Sequence, residues 1–487
     1  MQLYEHTVSE TVKMIQSKEV KCSEVFSSYI DRIKEIDPKV NAFLTYSYED
    51  EMKKAIALDE KIARGEKVGS LCGVPYALKD NICTKDIRTT CSSKLLENFI
   101  PPYSAHVYEN LMRSDALLLG KVDMDEFAMG GTNENSAFNT VRNPFDLNKV
   151  PGGSSGASAV SVSAEMSCFA LGSDTGGSVR NPAAFCNLTG FKPTYGEVSR
   201  YGLIAFASSL DQIGTLTRDV EDCARVMNVI SGHDERDTTS LEREKVNYLD
   251  FIKEGIKGMK IGVDMDCVKE GVSEDIIKAY ENTIDTFKQL GAEIVNVNFK
   301  YLKYVVPVYY LVACSEASSN LARFDGIRYG KRSDDAQNLI DTYILSRSEG
   351  FGDEVKKRIM LGTYALSAGY YDMFYNKALK VRRIIKDDIY RVLGDCDVYL
   401  SPTTPQTAFK LGEKVDDELS LYAADLFTAT ANLAGLPAIS IPAGFDKDNM
   451  PIGMQLYAKG LNEEAIIRTA YNFQLSTNFH KVKPPIK

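Results

Sequence analysis

The sequence predicts an α/β protein built on a large mixed, mostly parallel β-sheet covered by helices on both faces. Three observations carry this expectation. From about residue 70 onward, short apolar runs alternate with helix-patterned segments, an order that lays strands side by side with helices across them. The runs are rich in Val, Ile, Leu and Ala without strict polar alternation, as strands buried on both faces require. The 487-residue chain shows no Pro/Gly/Ser linker, internal repeat or low-complexity tract, so a single domain over 1–487 is expected.

The N-terminal part, about 1–65, reads as helices. Thr7 and Glu10 have the spacing of a capping box, with Val12 and Ile15 on one face. Ser23 is placed to cap a second helix, whose Phe26, Tyr29, Ile30 and Ile33 recur at helical spacing until Asp37-Pro38. Residues 71–78 and 116–119 read as buried strands with a helix end at Leu111-Met112 between them. A helix of very small residues follows over 155–166, then a strand over 168–171, and 208–220 continues the block. The charged stretch 233–245 reads as a solvated excursion. Strands resume at 261–264 and 293–298, and a helical insertion is expected over about 300–392. Strands at 398–400, 438–441 and 453–457 precede a closing helix over 463–474.

The chain has 57 basic and 67 acidic residues, a net charge of −10, which argues against a free-standing nucleic-acid binder. It leaves open a complex in which a partner holds the nucleic acid. Ten scattered cysteines include no C-x-x-C pair, which disfavours a zinc ribbon or a redox dithiol. The N-terminus lacks a secretory pattern, and no apolar run approaches the ~18 residues of a membrane span, so a reduced cytoplasm is the expected compartment.

Ser154 lies in the turn Pro151-Gly-Gly-Ser-Ser-Gly-Ala-Ser158, and Ser178 in Gly172-Ser-Asp-Thr-Gly-Gly-Ser-Val-Arg180. Lys79 ends the apolar run from Val74. Amide cleavage needs an activated nucleophile, an oxyanion hole and a proton for the departing nitrogen. Successive backbone N–H groups of Thr175, Gly176, Gly177 and Ser178 could converge as an anion-binding nest. Burial of Lys79 would lower its free pKa of ~10.4 towards the range useful to a base. Ser154, both donor and acceptor, would relay the proton between Ser178 and Lys79. Taken alone, each turn could instead bind a phosphate or merely shape a loop. The first also fits G-x-S-x-G, but no strand precedes it and the four histidines lie away from both turns; neither turn is a Walker A loop.

The two turns and the Lys79-Asp80 pair resemble the signature of the amidase-signature family: G-G-S-S-G-[GA]-S, G-[ST]-D-x-G-G-S-[IV]-R and an upstream K-D. The resemblance implies that family's fold and its Ser–cis-Ser–Lys triad, with Ser178 as nucleophile, Ser154 after a cis Gly153–Ser154 bond and Lys79 as base. Nearly the whole chain is further similar to the glutaminase A subunits of glutamyl-tRNA(Gln) amidotransferases, notably over 124–130, 183–209, 315–330, 350–371 and 432–437. General amidases do not share 315–371. This implies a pocket in which Arg358 takes the α-carboxylate of glutamine, Asp425 its α-ammonium, and Tyr309 lines the wall.

The same resemblance implies a heterotrimer with B and C subunits and no cofactor or metal in this chain. ATP and Mg²⁺ would belong to the B subunit, which would amidate Glu-tRNA(Gln), or also Asp-tRNA(Asn), and make the main tRNA contacts. No membrane association is expected. A stand-alone amidase and a catalytically idle scaffold are the rival readings. The chain departs from the A-subunit pattern at Ala157 and Asn187, where glycine is common, and at Glu197, where arginine is common. The basic stretch Lys377, Lys380, Arg382, Arg383 and Lys386 reads as a solvated helix face rather than a tRNA contact.

Overall fold

The computed structural model describes residues 2–269, 271–413 and 424–486. Its strands are β1 (Phe43–Tyr46), β2 (Pro75–Lys79), β3 (Leu117–Val122), β4 (Phe169–Asp174), β5 (Thr189–Lys192), β6 (Gln212–Thr217), β7 (Lys260–Val263), β8 (Glu293–Asn296), β9 (Val398–Pro402), β10 (Ala438–Phe445) and β11 (Pro451–Tyr457). They form one sheet in the order β1-β3-β2-β4-β6-β5-β10-β11-β9-β7-β8. The α/β class and the mixed sheet are as expected, but the parallel majority is not. Four ladders among the described residues are parallel and six are antiparallel.

Connection chemistry explains the difference. A helix returns the chain to a parallel neighbour between β2 and β3 (His106–Arg113), and between β7 and β8 (Glu274–Gln289); the helix Gly156–Ser163 precedes β4, which lies parallel to β2. In the middle of the sheet, β10 and β11 are joined by a short turn, closed where the Asp446 N–H donates to the Met450 carbonyl at 2.9 Å. Such a return reverses the strand.

The N-terminal helix Val8–Gln16 has Thr7 as its cap, with both arms of the capping box made. The second helix, Cys22–Val40, departs from expectation at both ends. Ser23 does not cap it. Asp59 of the helix Tyr48–Ala63 instead accepts from the N–H groups of Cys22 (2.6 Å) and Ser23 (3.3 Å) and from the Ser23 hydroxyl (2.5 Å). The helix also continues through Pro38, because buried Ile36 and Val40 keep its last turn packed, and ends where Asn41 turns left-handed at φ 58°. β1 interrupts the all-helical N-terminus.

The stretch 233–245 has no helix or strand but is less solvated than expected. Buried Asp234 accepts from Ser199 (2.7 Å), and buried Asp237 accepts from the Arg200 N–H (2.7 Å). Arg243 pairs with Glu197 at 2.7 Å, so the glutamate at that departure has its own cation. Asn187 adopts φ 59° and donates to the carbonyls of Phe479 (2.8 Å) and Val482 (3.0 Å), pinning the C-terminal tail. Asparagine tolerates that conformation better than most side chains. Ala157 is wholly buried, its N–H held by Asn133 at 3.1 Å.

Residues 300–392 hold the helices Val305–Asn320, Leu339–Gly350, Asp353–Leu366 and Lys377–Val392. Gly362 lets the third pass directly over the Cys314 carbonyl of the first, where a Cβ would collide. In the basic stretch, Arg382 is committed to the Leu433 carbonyl and to Ser209, and Arg383 pairs with Asp387. No helix among the described residues is long and apolar enough to cross a membrane.

Candidate active site

β2 delivers Lys79 from a strand whose five residues are all buried. Lys79 Nζ lies 2.7 Å from Ser154 Oγ, 2.8 Å from Ser155 Oγ, 3.0 Å from Ser173 Oγ and 3.3 Å from the Ser173 carbonyl. Burial drives its pKa down to about 7, against the upward pull of Asp125, Asp174 and Asp211. The Ser155 hydroxyl donates to the Ser173 carbonyl at 3.1 Å, and Asn81 donates to Ser173 Oγ at 2.9 Å. Ser155 thus has its proton committed elsewhere.

Ser154 follows a cis peptide bond from Gly153. Gly153 sits where a Cβ would strike the Asp125 carboxylate and come within 2.8 Å of the Thr132 nitrogen. Asp125 braces this loop: its backbone N–H donates to the Ser154 carbonyl (3.2 Å), and its carboxylate accepts from the N–H groups of Asn133 (3.0 Å) and Asn135 (3.2 Å).

The second turn follows β4. Asp174 accepts from the N–H groups of Gly177 (2.9 Å) and Val179 (3.1 Å) and pairs with Arg180 at 3.0 Å. Burial pushes the Asp174 carboxyl upward, but the charge and hydrogen bond of Arg180, together with Lys192 and Asn432, outweigh it and hold the carboxyl down at about 2. Thr175 donates its hydroxyl to Asp211 at 2.6 Å, and Thr428 donates to the Gly176 carbonyl at 2.6 Å. Ser155 N–H donates to the Ser178 carbonyl at 3.1 Å, joining the two turns.

The expected four-donor nest needs one correction. The Gly177 N–H is committed to Asp174, which leaves Thr175, Gly176 and Ser178 as backbone donors not engaged by the hydrogen bonds of the described residues. Those bonds likewise include none between the hydroxyls of Ser154 and Ser178. Ser178 borders a cavity of about 160 Å³.

The opposite wall carries the other expected residues. Tyr309 packs its ring over Gly176 so closely that a Cβ there would meet the phenol. Asp425 and Arg358 both line the cavity. Burial raises the Asp425 carboxyl to about 6, opposed by the Tyr310 hydrogen bond and the Arg358 charge. Arg358 Nε donates to Glu354 at 2.7 Å, and its guanidinium lies 5.3 Å from the Tyr310 ring centroid.

Four contributors escaped the sequence reading. Tyr310 donates to Asp425 at 2.7 Å, Glu354 anchors Arg358, and Ser155 and Ser173 surround Lys79. Ser155 and Ser173 stand inside the two glycine-rich turns, which was their available signal. Tyr310 and Glu354 gave none, since helix facing alone determines their role.

Comparison with known proteins is consistent across the chain. The family model described as Amidase matches residues 24–467. The glutamyl-tRNA(Gln) amidotransferase A subunit of Caldanaerobacter subterraneus is 53% identical over 479 residues, covering 98% of each chain. Its counterpart from Carboxydothermus hydrogenoformans is 52% identical and covers 100% of both. Among solved structures, the glutamyl-tRNA(Gln) amidotransferase A subunit of Thermotoga maritima superimposes with a TM-score of 0.84 at 40% identity, covering 100% of this chain and 99% of the other. A bacterial aryl acylamidase of the amidase-signature family superimposes at 0.86 and 26% identity, covering 98% and 97%.

Proposed function

The chain belongs to the amidase family and has the glutamine-hydrolysing role of an amidotransferase A subunit; we propose that Lys79, Ser154 and Ser178 carry that chemistry. Neutral Lys79 takes a proton from Ser154 as Ser154 takes one from Ser178. Ser178 Oγ then attacks the γ-carboxamide carbon of glutamine. The developing oxyanion is received by backbone N–H groups among Thr175, Gly176 and Ser178. As the C–N bond breaks, the proton returns through Ser154 to the nitrogen, and ammonia leaves. Water then cleaves the γ-glutamyl ester to glutamate and restores Ser178.

The observation that carries this reading is a fully buried lysine with its pKa near 7 and the Ser154 hydroxyl 2.7 Å away. A lysine that is substantially neutral at physiological pH can act as a base. For the substrate, Arg358 takes the α-carboxylate of glutamine and Asp425 its α-ammonium, with Tyr309 as the wall beside them. A planar guanidinium suits a carboxylate, and a lone carboxylate suits an ammonium.

The ammonia passes to a B subunit that holds ATP and Mg²⁺ and amidates the carboxyl group on Glu-tRNA(Gln), with a C subunit completing the assembly. Met360, Leu361 and Tyr364 support a contact with such a partner, since the helix that carries Arg358 leaves them exposed at 67%, 48% and 52%.

Ser178→Ala tests the division of labour in the assembled complex. Glutamine-dependent amidation should be abolished, while amidation driven by free ammonium should persist. Equal loss with both nitrogen donors would remove Ser178 from ammonia production.

A further inference from the structure

Asp125 and Glu126 are consecutive buried carboxyls that serve two different elements beside the cleft. The turn that follows them has Phe127 and Ala128 left-handed at φ 49° and 63°. Asp125 braces the Gly153–Ser154 loop. Glu126 turns the other way: its Oε2 accepts from the Gly352 N–H at 2.7 Å, and its Oε1 accepts from the Ser93 hydroxyl. Ser93 Oγ also lies 3.1 Å from the Gly350 carbonyl.

Gly352 is the N-cap of the helix Asp353–Leu366 and has no side chain with which to cap it. The Glu126 carboxyl accepts from the N–H of Gly352 itself, the donor that a glutamate at the third helical position satisfies in a capping box and that Val355 cannot satisfy here. The fit is close, because a Cβ on Gly352 would come within 2.5 Å of Glu126 Oε2. Phe351 packs edge-on against Phe127, with ring centroids 5.6 Å apart. Glu354 stands in the first turn of this helix, and Arg358 follows one turn later, bonded to Glu354 at 2.7 Å.

We propose that Glu126 is a positioning residue for substrate recognition: it clamps the start of the helix Asp353–Leu366 and thereby sets where Glu354 and Arg358 stand in the cleft. The proposal rests on the reading that Arg358 receives the α-carboxylate of glutamine. An ordinary capping residue would affect stability or overall turnover. A positioning residue for Arg358 affects KM.

The test measures glutamine hydrolysis by the assembled complex with Glu126→Ala, Glu126→Gln and, in parallel, Arg358→Ala. Glu126→Ala should raise KM on the order of tenfold while kcat changes by less than about twofold. Glu126→Gln should stay within about threefold of the parent KM, because its carbonyl can accept from Gly352 N–H while its amide donates to Ser93 Oγ. An unchanged KM in Glu126→Ala, a fall in kcat equal to the rise in KM, or a glutamine variant as impaired as the alanine one would each overturn the proposal.

If Arg358→Ala leaves KM unchanged, the substrate reading itself is wrong. If it raises KM and Glu126→Ala does not, the clamp alone is wrong. Should Glu126→Ala fail to fold, Ser93→Ala removes one arm of the clamp and should raise KM in the same direction by a smaller factor. No rise in that variant overturns the proposal.

Discussion

Around Lys79 Nζ the partners are three serine hydroxyls and a carbonyl, and the nearby carboxylates act on it only through their charge. Such surroundings solvate an ammonium poorly, and burial accordingly brings the pKa down to about 7. The sign follows directly. Below about pH 7 the amine is protonated and cannot accept from Ser154; above it the free base predominates. The kcat/KM for glutamine should therefore rise with pH through about 7 and then level, with ionisation of the Asp425 carboxyl near 6 steepening the acid limb. A profile flat from about pH 6 to 8.5 would remove Lys79 as the titrating base. Lys79→Ala should cost several orders of magnitude, because an unactivated serine attacks amides poorly. Lys79→Arg should fail nearly as badly, since a guanidinium stays charged. Substantial activity in the arginine variant would mean that Lys79 supplies charge alone.

At the scale of elements, the cleft is closed by helices remote in sequence from the two glycine-rich turns. Val305–Asn320 brings Tyr309 over Gly176 and Tyr310 onto Asp425, while Asp353–Leu366 brings Glu354 and Arg358. Arg358→Ala should raise KM for glutamine strongly and affect a small amide without an α-carboxylate far less; equal damage to both would make Arg358 structural. Tyr310→Phe should raise KM more mildly, because it removes one hydrogen bond to Asp425 and keeps the ring beside Arg358. A parent-like KM would show that Asp425 needs no such support. These walls also mark where sequence reading ends. Lys79, Ser154 and Ser178 are legible because a lysine at a strand end and serines in glycine-rich turns have few other chemical uses together. Tyr309, Arg358 and Asp425 are reached only through family resemblance, and Tyr310 lies one residue away unseen. β1 is hidden between two strongly helical patterns, and β5, Thr189-Gly-Phe-Lys192, offers a single large apolar residue. Strand direction is misjudged for a related reason: alternation of strands and helices does not state which strands become neighbours.

Across the whole molecule, buried charge ties the cleft to the sheet beneath it. Arg180 is wholly buried and ties Asp174 at the end of β4 to Asn432 (2.6 Å) and to Gln455 of β11 (2.9 Å), so the turn that carries Ser178 is braced by distant parts of the fold. At other carboxyls in and around the cleft, desolvation prevails over the charges and donors nearby. Burial raises Asp125, Asp211 and Asp425 to about 6, and Asp123 and Glu126 to about 7. A carboxyl with a raised pKa holds its proton in the folded state after the unfolded chain has lost it, so its contribution to stability falls as pH rises through the folded value. His480, lowered to about 4 by burial, works in the opposite direction between that value and its ordinary one, as does His106, but the carboxyls that burial raises are more numerous and include Asp37, Glu51, Asp80, Asp219 and Asp222 elsewhere in the fold. Lys79 and Lys192, both brought down to about 7 by burial, oppose the trend above neutrality, where Asp219, raised by burial to about 8, and the buried thiols of Cys83, Cys91 and Cys168, pushed up by burial, prolong it. At these amines the unfolded chain keeps protons that the folded state has released, so their own contribution to stability rises with pH. The thermal unfolding midpoint should therefore fall from about pH 5 towards 7 and change far less between about 7 and 8.5, measured in one buffer series at constant ionic strength. Lys79→Met should make the midpoint fall more steeply above about pH 7 and leave the fall below it in place, because it deletes one buried amine and none of the carboxyls. A midpoint that climbs steadily from about pH 5 to 7 would mean that these carboxyls are ionised in the folded protein, and that the cleft is far better solvated than its burial implies.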